Sequence, residues 1–170
     1  MPFLNEEQHA LAAKIARILT TCKETVAVCE SSAGGLVSAC LLSLPGSSAY
    51  FIGGGILYSY IIRKALVNLG KEDHARYGGS TPELITDIAK NFSNKVEATW
   101  IIGEGGAAGP AKSPYGHNAG YTALVVVGPV NRTRIIETGC AERTKNMSDF
   151  ATGLLRLFLE VLDEHHPEIM

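Results

Sequence analysis

The run Val28-Cys29-Glu30-Ser31-Ser32-Ala33-Gly34-Gly35 sets a carboxylate and two hydroxyls between an apolar stretch and a glycine pair. Small residues that end a strand and open a helix leave backbone N–H groups unpaired at the positive end of the helix dipole, which suits an anion such as phosphate. A second small-residue run, Gly103-Glu104-Gly105-Gly106-Ala107-Ala108-Gly109-Pro110, also follows an apolar stretch. Gly46-Ser47-Ser48 adds hydroxyls in a turn, and the segment from Tyr58 to Lys64 adds a phenol with two adjacent cations, Arg63 and Lys64. Capping and turn hydrogen bonds would account for Ser31, Ser32 and Ser48 as well as a ligand would. Glu30 is more demanding, because a carboxylate at the end of a buried strand is costly to desolvate unless it meets a cation or the N–H groups of a helix start. Neither run matches the dinucleotide or P-loop signatures, which argues against an ordinary dinucleotide or triphosphate site.

The elements that must position these residues alternate in type. Asn5 followed by Glu6, Glu7 and Gln8 reads as a capping box, and Leu11, Ile15, Ile18 and Leu19 recur at helical spacing after it. Thr25 to Cys29 reads as a buried strand, followed by a helix that ends near Leu44 because Pro45 cannot continue it. Tyr50 to Tyr58 reads as a strand with three central glycines, and Ser59 as the cap of a helix through Leu69. Ser80-Thr81-Pro82-Glu83 opens another helix, with Leu84, Ile85, Ile88 and Ala89 as its stripe. Thr99 to Ile102 is the next strand, and the glycine run from 103 to 110 is expected to be a loop. Tyr121 to Val127 and Arg134 to Glu137 form a hairpin about Gly128-Pro129-Val130-Asn131, and a last helix starts near Asn146 or Ser148, with the tail from Asp163 fraying. Strands alternating with helices and closing on a hairpin predict an α/β layer fold around a mixed sheet, with the two small-residue runs converging at one sheet edge, beside Ser48.

Composition narrows the function. Of 170 residues, 46% are apolar and 19% charged, with a formal charge of −2 and no run of one sign, so a single globular domain with no nucleic-acid partner is expected. The apolar stretches are too short and interrupted to span a membrane, and a soluble, cytoplasmic protein is expected. Cys22, Cys29, Cys40 and Cys140 have no CxxC spacing and read as reduced thiols. His9, His74, His165 and His166 lack the spacing of a metal site, so no metal is expected; His117 is the one histidine placed to matter.

In order, ESSAGGL at 30 to 36, PGSSAYF at 45 to 51, LYS at 57 to 59, GSTPE at 79 to 83 and AAGP at 107 to 110 resemble the C-terminal domain of the CinA family. The family's corresponding runs read ESCTGG, PGSSAxF, TYSNxxK, VSEP and TGIAGPxGG, and the resemblance extends from about residue 8 to residue 160. It implies a three-layer α/β/α domain with a mixed central sheet, one domain over residues 1 to 170, and a homo-oligomer. It also implies hydrolysis of nicotinamide mononucleotide to nicotinate mononucleotide and ammonia, with a pyridine nucleotide as small-molecule partner and no cofactor. The resemblance is to the stand-alone, bacterial deamidase form of the family. Carried over by position, Ser48 is the preferred nucleophile, with Ser31 and Tyr58 beside it and Lys64 as a substitute base. Glu30, Ser32, Gly34, Gly35, Arg63, Gly105, Gly109 and Arg143 are the substrate-binding set.

The departures fall inside the motifs. Ser32-Ala33 replaces Cys-Thr, Tyr60 replaces asparagine, Gly105 replaces the hydroxyl that opens TGIAGP, and His117-Asn118-Ala119-Gly120 replaces KPVG. Arg63 stands where the family has lysine, and a guanidinium does not release a proton in a protein. The sequence therefore supports two readings, an amidohydrolase with reduced or altered activity and a catalytically degenerate nucleotide-binding or scaffold protein.

Overall fold

The computed structural model describes residues 4–169. Asn5 caps α1 (Glu6–Cys22) as the capping box predicts: its side chain accepts from Gln8 N, and Gln8 returns the bond to Asn5 N. Ala12, Ile15, Ile18 and Leu19 make the buried face of the helix. β1 (Val26–Glu30) is buried along its whole length, as befits a central strand covered on both sides. α2 (Leu36–Leu42) follows it, and a 3-10 turn at Ser47–Ala49 leads into β2 (Phe51–Ile56).

α3 (Tyr60–Val67) is capped by Ser59, whose Oγ accepts from Ile62 N. α4 (Lys71–Arg76) and α5 (Pro82–Ser93) follow, the latter capped by Thr81 with proline in its first turn. β3 (Trp100–Ala107), β4 (Tyr121–Val127), β5 (Arg132–Glu137) and α6 (Arg143–His165) complete the chain, ahead of a terminal 3-10 turn at Pro167–Ile169.

The five strands form one sheet in the order β2-β1-β3-β4-β5. β2, β1 and β3 are parallel, whereas β4 runs antiparallel to both β3 and β5, so the sheet is mixed. Alternation along the strands divides the core. Val26, Val28, Ile102, Leu124 and Val126 pack under α1, α2 and α6, while Ala27, Cys29, Ile101, Ala123 and Val125 pack under α3 and α5. The result is the three-layer α/β/α architecture expected from the resemblance. Among the described residues, no helix is long and apolar enough to cross a membrane.

Two local expectations are corrected, and one short helix is added. Residues 103 to 107 are not loop but the second half of β3, paired with β4 from Gly103↔Val125 to Ala107↔Tyr121. Close packing requires glycine at Gly106, where a Cβ would meet the Tyr121 carbonyl oxygen at 2.0 Å, while a Cβ at Gly105 would press on the tip of Ile85, Cδ1, at 2.5 Å. α4 has no apolar stripe to announce it, since only His74 among its residues is buried. Finally, α6 begins three residues before Asn146 and continues through His165, which packs edge-on against Trp100.

Candidate active site at the carboxyl ends of β1 and β3

Both small-residue turns lie at the same end of the sheet, because β1 and β3 are parallel neighbours. They form one site, but not by cradling an open anion hole. Glu104, on β3 and 2% exposed, reaches under the turn that follows β1. Its Oε1 accepts from Ser31 N at 2.6 Å and Ala33 N at 2.7 Å, and its Oε2 accepts from Ser32 Oγ at 2.6 Å and Thr122 Oγ1 at 3.2 Å. The N–H groups expected to hold a ligand's phosphate are thus met by a side chain of this chain. Burial pushes the Glu104 carboxyl above its usual range, the hydrogen bonds from Ala33, Ser32 and Ser31 hold it down in part, and the charge of Glu30 adds to the rise.

Glu30 takes the second of its two foreseen options. Gly35, the N-cap of α2, has φ 100° and no side chain, so Glu30 supplies the cap from β1: Oε2 accepts from Val37 N at 3.2 Å, and Oε1 from Ser38 N at 3.0 Å and Ser38 Oγ at 2.7 Å. Gly34, also at positive φ, turns the chain between the two carboxylates.

Above this floor lies a pocket of about 280 Å³ lined by Ser32, Tyr58, the 106–114 segment and Arg143. Arg143 donates from Nη1 to the Gly109 carbonyl at 2.8 Å and from Nη2 to Tyr58 Oη at 3.2 Å. Because the Tyr58 hydroxyl accepts this bond, its own hydrogen is free to donate into the pocket. Lys112 is the second cation on the wall. Ser31 instead lines a separate cavity of about 10 Å³ with Glu30, Arg63, Ser80, Glu104 and Gly105, large enough for about one water.

Arg63 is buried, and its guanidinium is held on three sides. Nε donates to the Leu57 carbonyl at 3.0 Å, Nη2 to the Tyr58 carbonyl at 3.1 Å, and Nη1 meets His74 Nδ1 at 2.8 Å. That contact makes His74 Nδ1 the acceptor, and burial, with the Arg63 charge behind it, pushes the ring's pKa down to about 4. His117, the histidine singled out in the sequence, stacks on Tyr121 at 4.0 Å outside both cavities.

Two residues of the expected catalytic set do not join this site within one chain. Lys64 is exposed on the other side of α3, in a cavity with Tyr60, Ile61, Gly70 and Glu72, because one step along a helix turns a side chain by about 100°. Ser48 lies in the turn before β2, at the end of the parallel strands opposite Ser31. The length of β1 separates them, roughly 15 Å at ~3.3 Å per residue. The element that follows Pro110 is the strand β4 and not a helix, so the second small-residue run does not open a helix start. Glu104, which escaped the sequence reading, is the residue that ties the two turns together. One cluster of ligand-type side chains, Glu24, His165 and His166, lies elsewhere, but Glu24 Oε2 already accepts from Trp100 Nε1 and meets His166 Nε2.

The comparisons agree with this architecture. The family model described as CinA C-terminal domain matches residues 8–162. A CinA-like protein of Prochlorococcus marinus (strain MIT 9301) is 33% identical over 126 residues, covering 74% of this chain and 30% of that protein. A CinA-like protein of Desulfosudis oleivorans is 30% identical over 120 residues, covering 71% and 29%. The chain therefore spans about a third of the length of these curated relatives. Among solved structures, the competence/damage inducible protein CihA from Agrobacterium tumefaciens superposes with a TM-score of 0.87 at 21% identity, covering 96% of this chain and 99% of that one. The competence damage-inducible protein A from Klebsiella pneumoniae gives 0.85 at 19% identity, covering 91% and 96%. With the family's motifs falling on the turns that build the site, this chain belongs to the CinA family through its C-terminal domain.

Proposed function

We propose that this chain is an amidohydrolase of a small phosphate-bearing amide, with nicotinamide mononucleotide, the substrate the family resemblance implies, converted to nicotinate mononucleotide and ammonia. The observation that carries the reading is the pocket of about 280 Å³ in which Ser32 shares walls with Tyr58, Arg143 and Lys112. Amide hydrolysis needs a hydroxyl nucleophile, a proton carrier and donors for a developing oxyanion, and a mononucleotide needs cations for its phosphate. The Tyr58 hydroxyl and the free N–H groups of Arg143 supply the donors; Arg143 and Lys112 supply the charge.

Incubation with nicotinamide mononucleotide should release ammonia and nicotinate mononucleotide in equal amounts. Arg143→Ala should raise KM by at least tenfold. Absence of both turnover and binding would exclude the reading.

Arg63 favours a second reading, a nucleotide-binding or scaffold protein without turnover. It holds the place of the family's lysine, its charge is committed to two carbonyls and a histidine, and it cannot cycle a proton. Saturable binding of nicotinamide mononucleotide with no ammonia would decide for it.

A further inference from the structure

The geometry points to Ser32 as the nucleophile of this site and Glu104 as its general base, a pair that takes over the chemistry left open by Arg63. Three observations meet here. Ser32, not Ser31, lines the larger pocket, while Ser31 faces a cavity with room for about one water. The Ser32 hydroxyl donates to Glu104 Oε2 at 2.6 Å, the hydrogen bond that a nucleophile makes to its base. Glu104 is itself fixed: Ser31 N and Ala33 N hold Oε1, and Thr122 Oγ1 holds the far side of Oε2. A buried carboxylate on a central strand is costly to keep, and Glu104 is 2% exposed.

The proposal rests on the amidohydrolase reading for its substrate, and its steps balance. Ser32 Oγ bonds to the carboxamide carbon as its proton passes to Glu104 Oε2, and the carbonyl π electrons move to oxygen. Collapse of that intermediate breaks the C–N bond, Glu104 returns the proton to the departing nitrogen, and ammonia leaves an ester on Ser32. Water then adds to the ester carbon while giving its proton to Glu104. Ser32 Oγ departs with that proton, releasing the acid. Tyr58 Oη and Arg143 are the donors at the pocket wall for the oxyanion.

The test uses a fluorophosphonate, which phosphonylates an activated serine whatever the natural substrate, with the modified peptide located by mass spectrometry. Label is expected on Ser32, forming at least 100-fold more slowly in Glu104→Gln. This variant can keep its bonds, since the Gln oxygen still accepts from the Ser31 and Ala33 N–H groups while its NH2 faces two hydroxyls that can turn to accept. In wild type the labelling rate should rise with pH through the raised Glu104 pKa. The groups facing that carboxyl are Glu30 and Cys29 of β1 and Arg63 of α3, so Glu30→Gln should shift the midpoint downward. Label on Ser31, no label, or equal rates in wild type and Glu104→Gln would each overturn the pair. Label on Ser32 without ammonia from nicotinamide mononucleotide would overturn the substrate and leave the pair standing. Ammonia release undiminished in Ser32→Ala would do the reverse.

Discussion

Arg63 shows how one residue changes what a buried position can do. The planar guanidinium reaches two carbonyls and a ring nitrogen at once, and a lysine ammonium, with three donors on one nitrogen, cannot. Arg63→Lys should therefore leave at least one buried carbonyl unpaired and cost about 1–3 kcal/mol, read as a lower urea midpoint at unchanged slope. An unchanged midpoint would mean that the clamp carries no stability. His74 depends on the same contact. Its folded pKa of about 4 lies below the ordinary 6.5, so its contribution is fully present above about 6.5 and is lost as pH falls through 4. In His74→Asn the amide oxygen still accepts from Arg63 but no proton is bound. Wild type should lose stability more steeply than this variant between pH 6.5 and 4, and identical slopes would contradict the buried neutral ring. Glu104 titrates in both proteins, so its opposite contribution, a carboxyl relieved by protonation, cancels in the difference.

At the scale of elements, two carboxylates from adjacent strands organise one helix start and should answer differently to the same substitution. Glu30 accepts backbone N–H groups on both oxygens, from Val37 and Ser38, so a Gln NH2 would have to face an N–H. Glu104 sees hydroxyls on one side, which can reverse. Glu30→Gln should cost about 1–3 kcal/mol, whereas Glu104→Gln should be neutral or stabilising, because it removes a buried charge. Equal losses in thermal denaturation would refute this division of roles. α1, α5, β1 and β4 were legible in the sequence because caps, stripes and β-branched runs speak locally. The second half of β3 was not, since Gly103, Gly105 and Gly106 reflect neighbours on other strands and α5 rather than local preference. The Ser31-Ser32 turn was legible as a candidate site, but its partner Glu104 sits 72 residues on. The usable signal was period two: counting from Ile102 puts Glu104 on the Val126 face, over the turn after β1.

For the whole molecule, the two edges of the sheet are unlike. On β5, Arg132 and Arg134 pair with Glu164 and Glu160 of α6, so that edge carries charge and resists further pairing. Among the described residues, β2 has no such guard. It presents Ile52 at 48% and Ile56 at 52% exposure, followed by Tyr58 and by Ile61 at 82%, with three glycines that leave its backbone approachable. Large apolar side chains beside an unpaired edge favour association, and the family resemblance implies an oligomer, so the chain should assemble with itself across β2. Ser48 stands just before this strand, so only a second copy could bring it towards the pocket at the far end. Light scattering at tens of micromolar should give a multiple of the chain mass. Ile52→Lys combined with Ile56→Lys should reduce it to the monomer with an unchanged circular dichroism spectrum, because both side chains are half exposed and fill no core. A monomeric mass for wild type would end the proposal, and an oligomer that survives both lysines would move the interface away from β2.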